Sequence, residues 1–241
     1  MATTSAVNVS DFTETIEPHL KEGRDVLVVA FSSGLSATCH SAQIAAQELS
    51  EQYPERKVYV VDSLCASLGQ GLLVWYAARM KNEGRGIGAV RDWLEENKLH
   101  LCHWFTVDDL HFLKRGGRIS SATAVLGTML SIKPIITFSD DGQLQSIAKV
   151  RGRRQVQDKI LELLRARFQS GRRYNLAVAN GGAPEEMAEF AARLKAEFPN
   201  YEHFWEGVMD ATLSVYIGDG VIGGGIQFRS EEHTSELQSL G

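Results

Sequence analysis

Apolar positions fall along this chain in short unbroken runs, separated by longer stretches with helical spacing. Val26–Phe31 is one such run. It stops at Ser32-Ser33-Gly34, and a helix-like pattern follows to about Gln52, with Pro54 beyond it. Lys57–Asp62 repeats the arrangement and ends in a second polar tip, Asp62-Ser63. Helices are predicted after it over Ala66–Asn82 and, past the turn at Gly84-Arg85-Gly86, over Ile87–Asn97. Runs this short and apolar read as buried strands, and strands alternating with helices read as parallel βαβ units. Ahead of them a short helix is predicted over Asp11–Glu22, closed by Gly23, with Ser10 as its N-cap.

The pattern changes near Leu99. His100–Val107 is strand-like, Asp108–Lys114 and Ala122–Leu130 are helical, and Pro134–Phe138 and Gln143–Val150 flank Ser139-Asp140-Asp141-Gly142. Asp-Gly supplies the positive φ that a tight hairpin needs. A long helix over Val156–Phe168, a strand over Asn175–Asn180 and a helix over Pro184–Phe198 follow. Strands near Thr212–Ile217 and Gly224–Phe228 complete the set. The expected fold class is α/β, in two α/β lobes: residues 1–98, with a mainly parallel sheet, and residues 99–228. The polar, aperiodic stretch 229–241 reads as a translated vector scar rather than domain sequence. A parallel sheet ordinarily has a strand ahead of Thr3-Thr4-Ser5, so the chain is expected to be truncated at both ends.

Composition narrows the class. At 241 residues and 44% hydrophobic the chain can bury a sizeable core, and its net charge of −5 argues against nucleic acid as a partner. Cys39, Cys65 and Cys102 lack paired spacing, which fits a reducing cytoplasm rather than a disulfide framework. No apolar run approaches the roughly 20 residues of a transmembrane helix, and the polar start, MATTSAVNVSDF, is no signal peptide. A soluble, cytoplasmic protein is expected.

Candidate chemistry gathers at the strand tips, because ligands of parallel sheets sit beyond the carboxyl ends of the strands. Ser32 and Ser33, with Ser36 and Thr38, stand where a carboxylate or phosphate takes hydrogen bonds at a helix N-terminus, and Thr4-Ser5 can approach from a neighbouring loop. Helix capping is the alternative use of the same hydroxyls. The GxSxG elbow of a serine hydrolase is absent. Lys114-Arg115-Gly116-Gly117-Arg118 offers cations around paired glycines, either as an anion cradle or as a helix C-cap in a solvated surface, and it lacks Walker A spacing. Lys149, Arg151, Arg153 and Arg154 form a further basic stretch. His100, Cys102 and His103 lack a second cluster to complete a tetrahedral metal site, and no GxGxxG fingerprint is present.

Taken together, TTSAV at Thr3–Val7, SSGLSAT at Ser32–Thr38, VVDS ending at Ser63, LKRGGRIS ending at Ser120, IKPI at Ile132–Ile135 and KVRG at Lys149–Gly152 resemble the DegV family of bacterial fatty-acid-binding proteins. The ordered set runs from about Thr3 to Phe228. The resemblance implies a long-chain, palmitate- or stearate-like fatty acid held between two α/β lobes, and no cofactor. It implies carboxylate contacts at Thr4 and Ser33, with Ser5, Ser32 and Gly34 beside them. Presentation of the acid to a separate fatty acid kinase, which makes an acyl phosphate, is also implied. Arg118, with Arg151 and Arg153, is implied in the head-group network or kinase docking. The family's C-terminal His-x-Gly-x-Gly is replaced here by Tyr216-Ile217-Gly218-Asp219-Gly220. Tyr216 can donate a hydrogen bond but carries no positive charge, and Asp219 would repel a nearby carboxylate. The competing function is a small phosphotransferase or hydrolase built on the Ser33 cluster. A purely structural interaction module is a third.

Overall fold

The computed structural model describes residues 4–119, 131–167, 174–209, 213, 215, 217 and 220–228. The chain divides into two compact units, residues 1–99 with 138–143, and residues 100–137 with 144–241. The division falls between Leu99 and His100, but it is not a single cut: the turn at 138–143 packs within the first unit.

In the first unit, helix α1 (Val9–Lys21) precedes strand β1 (Val26–Ala30), α2 (Thr38–Gln52), β2 (Val58–Asp62), α3 (Ser67–Asn82) and α4 (Ile87–Asn97). Helix α1 begins earlier than the sequence pattern suggests, because Asn8 rather than Ser10 is its N-cap. The Asn8 side chain accepts from the Asp11 amide and the Asp11 carboxylate accepts from the Asn8 amide, so two otherwise orphaned donors are satisfied reciprocally. Ser10 instead donates to Glu14 on the next turn. Strands β1 and β2 pair in parallel, Val26 opposite Val58 through Ala30 opposite Asp62. Ile16 and Leu20 of α1 pack with Ala46 and Leu49 of α2 and Val58 of β2. The small residues of α2, Cys39, Ala42, Ala45 and Ala46, form its buried face.

The second unit holds β3 (Leu101–Thr106), α5 (Leu110–Arg115), β4 (Ile132–Phe138), β5 (Leu144–Arg151), α6 (Arg153–Arg167), β6 (Tyr174–Gly181), α7 (Pro184–Glu197), β7 (Tyr201–Val208) and β8 (Val221–Phe228). Its six-stranded sheet has the order β5-β4-β3-β8-β6-β7. It is mixed, since β8 runs antiparallel to both β3 and β6 while β6 and β7 are parallel. Trp104, Leu176 and Val178 of the sheet pack with Ile160 and Leu164 of α6 and Phe190 and Leu194 of α7. Two expectations change here. Strand β7 escapes the apolar-run criterion, because it lies at the end of the sheet and keeps Glu202, His203 and Glu206 among its aromatics. The expected strand near Thr212–Ile217 is replaced: its described residues Leu213, Val215 and Ile217 are helical. The expected helix at Ala122–Leu130 and the tail at 229–241 lie outside the described residues. Among the described residues no helix is long and apolar enough to cross a membrane.

Candidate functional site

The parallel pair β1–β2 sends two loops out of the same sheet edge, and adjacent serines in the first loop point opposite ways. The chain turns here, with the Ser32 carbonyl accepting from the Leu35 and Ser36 amides, and the turn leaves Ser32 inside and Ser33 on its outer side. Ser32 is fully buried. Its hydroxyl donates to the Gly142 carbonyl at 2.8 Å and accepts from the Gly34 amide at 3.2 Å, while its own amide donates to the Cys65 carbonyl at 3.1 Å. Ser33 is exposed. Its amide donates to Asp62 Oδ1 at 3.2 Å, and among the described residues its hydroxyl has no hydrogen-bond partner.

The neighbouring hydroxyls serve the backbone. Ser36 Oγ accepts from the Thr38 amide at 3.2 Å and shares a 2.8 Å hydrogen bond with Thr38 Oγ1, so the capping alternative describes Ser36. Residue Ala37 holds the N-cap position of α2 without any side-chain bond. In the second loop Ser63 is fully buried, and its hydroxyl donates to the Cys65 carbonyl at 3.2 Å. The thiols at this edge are inert at neutral pH. Burial, then the negative charge of Asp62, pushes Cys39 up to about 11, and burial pushes Cys65 up to about 12.

The turn at Ser139–Gly142 interlocks with this loop. Gly142 has φ of 75°, and a Cβ there would overlap Ser32 Oγ and press on Leu64. A Cβ on Gly34 would lie 2.6–2.7 Å from the Gly142 carbonyl group and the Asp141 oxygen. Both glycines are therefore required by close approach of one backbone to another. Leu64 and Ser67, just past β2, have φ of 51° and 53°, a left-handed geometry that side chains rarely adopt and that concentrates at functional loops.

Thr4 and Ser5 lie on the exposed segment that leads into α1. Ser32, Ser33 and Gly34 are thus brought together with Asp62, whereas Arg118, Arg151 and Arg153 belong to the second unit.

There the cations divide as the serines do. Arg118 follows α5 in a Schellman cap: Gly117, at φ of 74°, donates to the Lys114 carbonyl and Arg118 to the Leu113 carbonyl, both at 2.9 Å. The C-cap use of Gly116-Gly117 is therefore real, and it fixes the half-buried Arg118 just beyond the helix. Arg151 is exposed at the end of β5. Arg153, at the start of α6, is tied down: Nη1 reaches Asp108 Oδ1 at 3.0 Å, Nε reaches Glu186 Oε2 at 2.6 Å, and the Gly220 carbonyl also accepts from it. Lys133 completes the cluster on Asp108. Gly220, at φ of 78°, lies against the Asp108 carboxylate, which fills the space a Cβ would need. Asp108 had no signal in the sequence beyond its place after a strand. Tyr216 lies outside the described residues. Among those described, no group of three or more metal-binding side chains occurs. The His103 imidazole is pushed down to about 4 by burial, although part of the residue reaches the surface.

Comparison with known proteins bears on this arrangement. A family model described as an uncharacterised protein of the DegV family matches residues 1–229. A DegV domain-containing protein of Clostridium perfringens (strain 13 / Type A) is 43% identical over 199 residues, which cover 83% of this chain and 68% of the relative. The protein DegV of Bacillus subtilis (strain 168) is 33% identical over 224 residues, 92% of this chain and 78% of the relative. Among solved structures, a DegV family protein from Thermus thermophilus described for its fatty acid binding superposes with a TM-score of 0.85 at 33% identity, covering 94% of this chain and 79% of that one. DegV of Bacillus subtilis, described as a fatty acid binding protein, gives a TM-score of 0.80 at 31% identity, with 94% and 79% covered. Matched in sequence along residues 1–229 and in fold to these structures, the chain belongs to the DegV family.

Proposed function

We propose that this chain binds a long-chain, palmitate- or stearate-like fatty acid with its head group on the Ser33 hydroxyl, and presents it to a separate fatty acid kinase that forms the acyl phosphate. The exposed hydroxyl of Ser33, without a hydrogen-bond partner among the described residues and set between bonded neighbours at the carboxyl edge of a parallel strand pair, carries this reading. The fatty acid binding for which the Thermus and Bacillus relatives are described supports it. A buried acyl chain contributes about 0.8 kcal/mol per CH₂, so the tail supplies affinity and a few hydroxyls suffice to orient the head. Thr4 and Ser5 are the further head-group donors in this reading. Ser32 and Gly34 act indirectly, since their polar groups already bond each other and Gly142. Arg118 and the exposed Arg151 offer positive charge to an acidic kinase surface, while Arg153 holds the Gly220 end of its loop. The phosphotransferase or hydrolase alternative needs a base on Ser33, and no described carboxylate or imidazole bonds its hydroxyl.

The deciding experiment titrates the delipidated protein with palmitate. Ser33→Ala is expected to weaken binding about tenfold, the worth of a hydrogen bond to a charged group. Unchanged affinity would remove Ser33 from the site. Arg118→Ala is expected to bind palmitate as the parent does and to slow acyl phosphate formation by the partner kinase. Equal rates would dismiss the docking role.

A further inference from the structure

Asp62 is the last residue of β2, level in register with Ala30 at the end of β1. One of its carboxylate oxygens, Oδ1, accepts from two amides on two different loops: Ser33, 3.2 Å away beyond β1, and Leu64, 3.1 Å away beyond β2. Hydrogen bonds to an ionised acceptor are about twice as strong as neutral ones. A single side chain therefore ties the two loop tips at the sheet edge together. Ser32 and Gly34 are gripped by the Gly142 turn, but Ser33 itself is exposed; the peptide that joins it to Ser32 is held at its carbonyl by the Leu35 and Ser36 amides, and at its N–H by Asp62. The same oxygen holds the amide of Leu64, whose backbone is left-handed at φ of 51°.

The charge of Asp62 sharpens the point. A negative group beside Ser33 opposes any carboxylate bound to the neighbouring hydroxyl. A residue placed there to attract the ligand would be neutral or basic, so the acid serves the amides. We infer that Asp62 is the positioning residue for the Ser33 hydroxyl, orienting it toward the fatty acid head group by accepting the Ser33 and Leu64 amides. The inference rests on the fatty-acid reading of that hydroxyl, and it separates two properties of Asp62 that substitution can take apart. Asparagine keeps an acceptor oxygen without the charge. Alanine removes both.

The test compares the full chain with Asp62→Asn and Asp62→Ala in palmitate affinity and in hydrogen exchange of the Ser33 and Leu64 amides. Asp62→Ala is expected to bind about tenfold more weakly and to lose protection at both amides, whereas Asp62→Asn stays within about threefold of the parent and keeps that protection. Parent-like or tighter binding by Asp62→Ala overturns the inference, as does an Asp62→Asn loss equal to that of Asp62→Ala. If the parent chain takes up no palmitate, the fatty-acid reading fails by itself. Amide exchange then decides the positioning role: equal protection in all three chains overturns it, and selective loss in Asp62→Ala supports it.

Discussion

At the tip of β1 two consecutive serines are treated in opposite ways, and at the junction of β5 and α6 two arginines with one residue between them are treated likewise. Ser32 is buried and bonded on both sides, while Ser33 is exposed with its hydroxyl open. Arg153 is bonded to Asp108, Glu186 and Gly220, while Arg151 faces solvent. In both units a motif of repeated residue type separates into a member that builds the frame and a member that the frame displays. The mechanisms differ. The serine loop is shaped by close backbone packing and hydrogen bonds to carbonyls. The arginine junction is shaped by ion pairs whose partners are partly exposed, with the Asp108 side chain 46% accessible. Close packing and neutral hydrogen bonds carry no charge for salt to screen, whereas pairs of the second kind are screened.

The largest test of this contrast is Gly220→Ala. A methyl group there must adopt φ of 78° and displace Asp108 from Lys133 and Arg153. We expect a loss of about 2 to 4 kcal/mol in urea unfolding, from backbone strain together with overpacking. A loss under about 0.5 kcal/mol, the level of an ordinary surface change, would show that the arginine junction frames nothing.

Acid should also act on the second unit. The folded His103 has its pKa lowered from 6.5 to about 4, so the unfolded chain takes up a proton that the folded chain refuses. Stability from this group is complete above pH 6.5 and declines as the pH falls toward 4, by up to about 3 kcal/mol in all. Unfolding titrations at pH 7 and pH 5 should show a decline that His103→Gln flattens. An identical decline in that variant would assign the effect elsewhere.

The smallest expected effect is the most diagnostic. Ser33→Ala, which weakens palmitate binding in the proposal above, should change unfolding free energy by no more than about 0.5 kcal/mol, as befits an exposed residue. A larger loss would make Ser33 part of the frame and erase the distinction from Ser32.

Much of the architecture was legible in the sequence. The apolar runs at Val26–Phe31 and Lys57–Asp62 give β1 and β2 to within a residue or so at each end, and Asp141-Gly142 marks the turn between β4 and β5. Strand β7 was not legible, because an edge position relieves a strand of continuous apolarity, and the α1 cap was misplaced because Asn8 and Asp11 act as a pair. Family motifs pointed to the serine loop, yet nothing in two identical adjacent residues tells which one turns inward. That depends on Gly142, 110 residues further along the chain from Ser32. Arg153 likewise reads as a solvated cation until Asp108 and Glu186 are brought to it by the fold.

Surface hairpin tips are the usual refuge for affinity tags, fluorescent insertions and evolutionary length variation, since an added residue there disturbs little. The Ser139–Gly142 tip has no such latitude. Its glycine must arrive at Ser32 and Gly34 in one register, so lengthening or shortening the turn by a single residue would withdraw the Gly142 carbonyl from the serine loop. Among relatives this turn is expected to hold its length more tightly than its exposed aspartates hold their identity, and anyone labelling the protein should leave it alone.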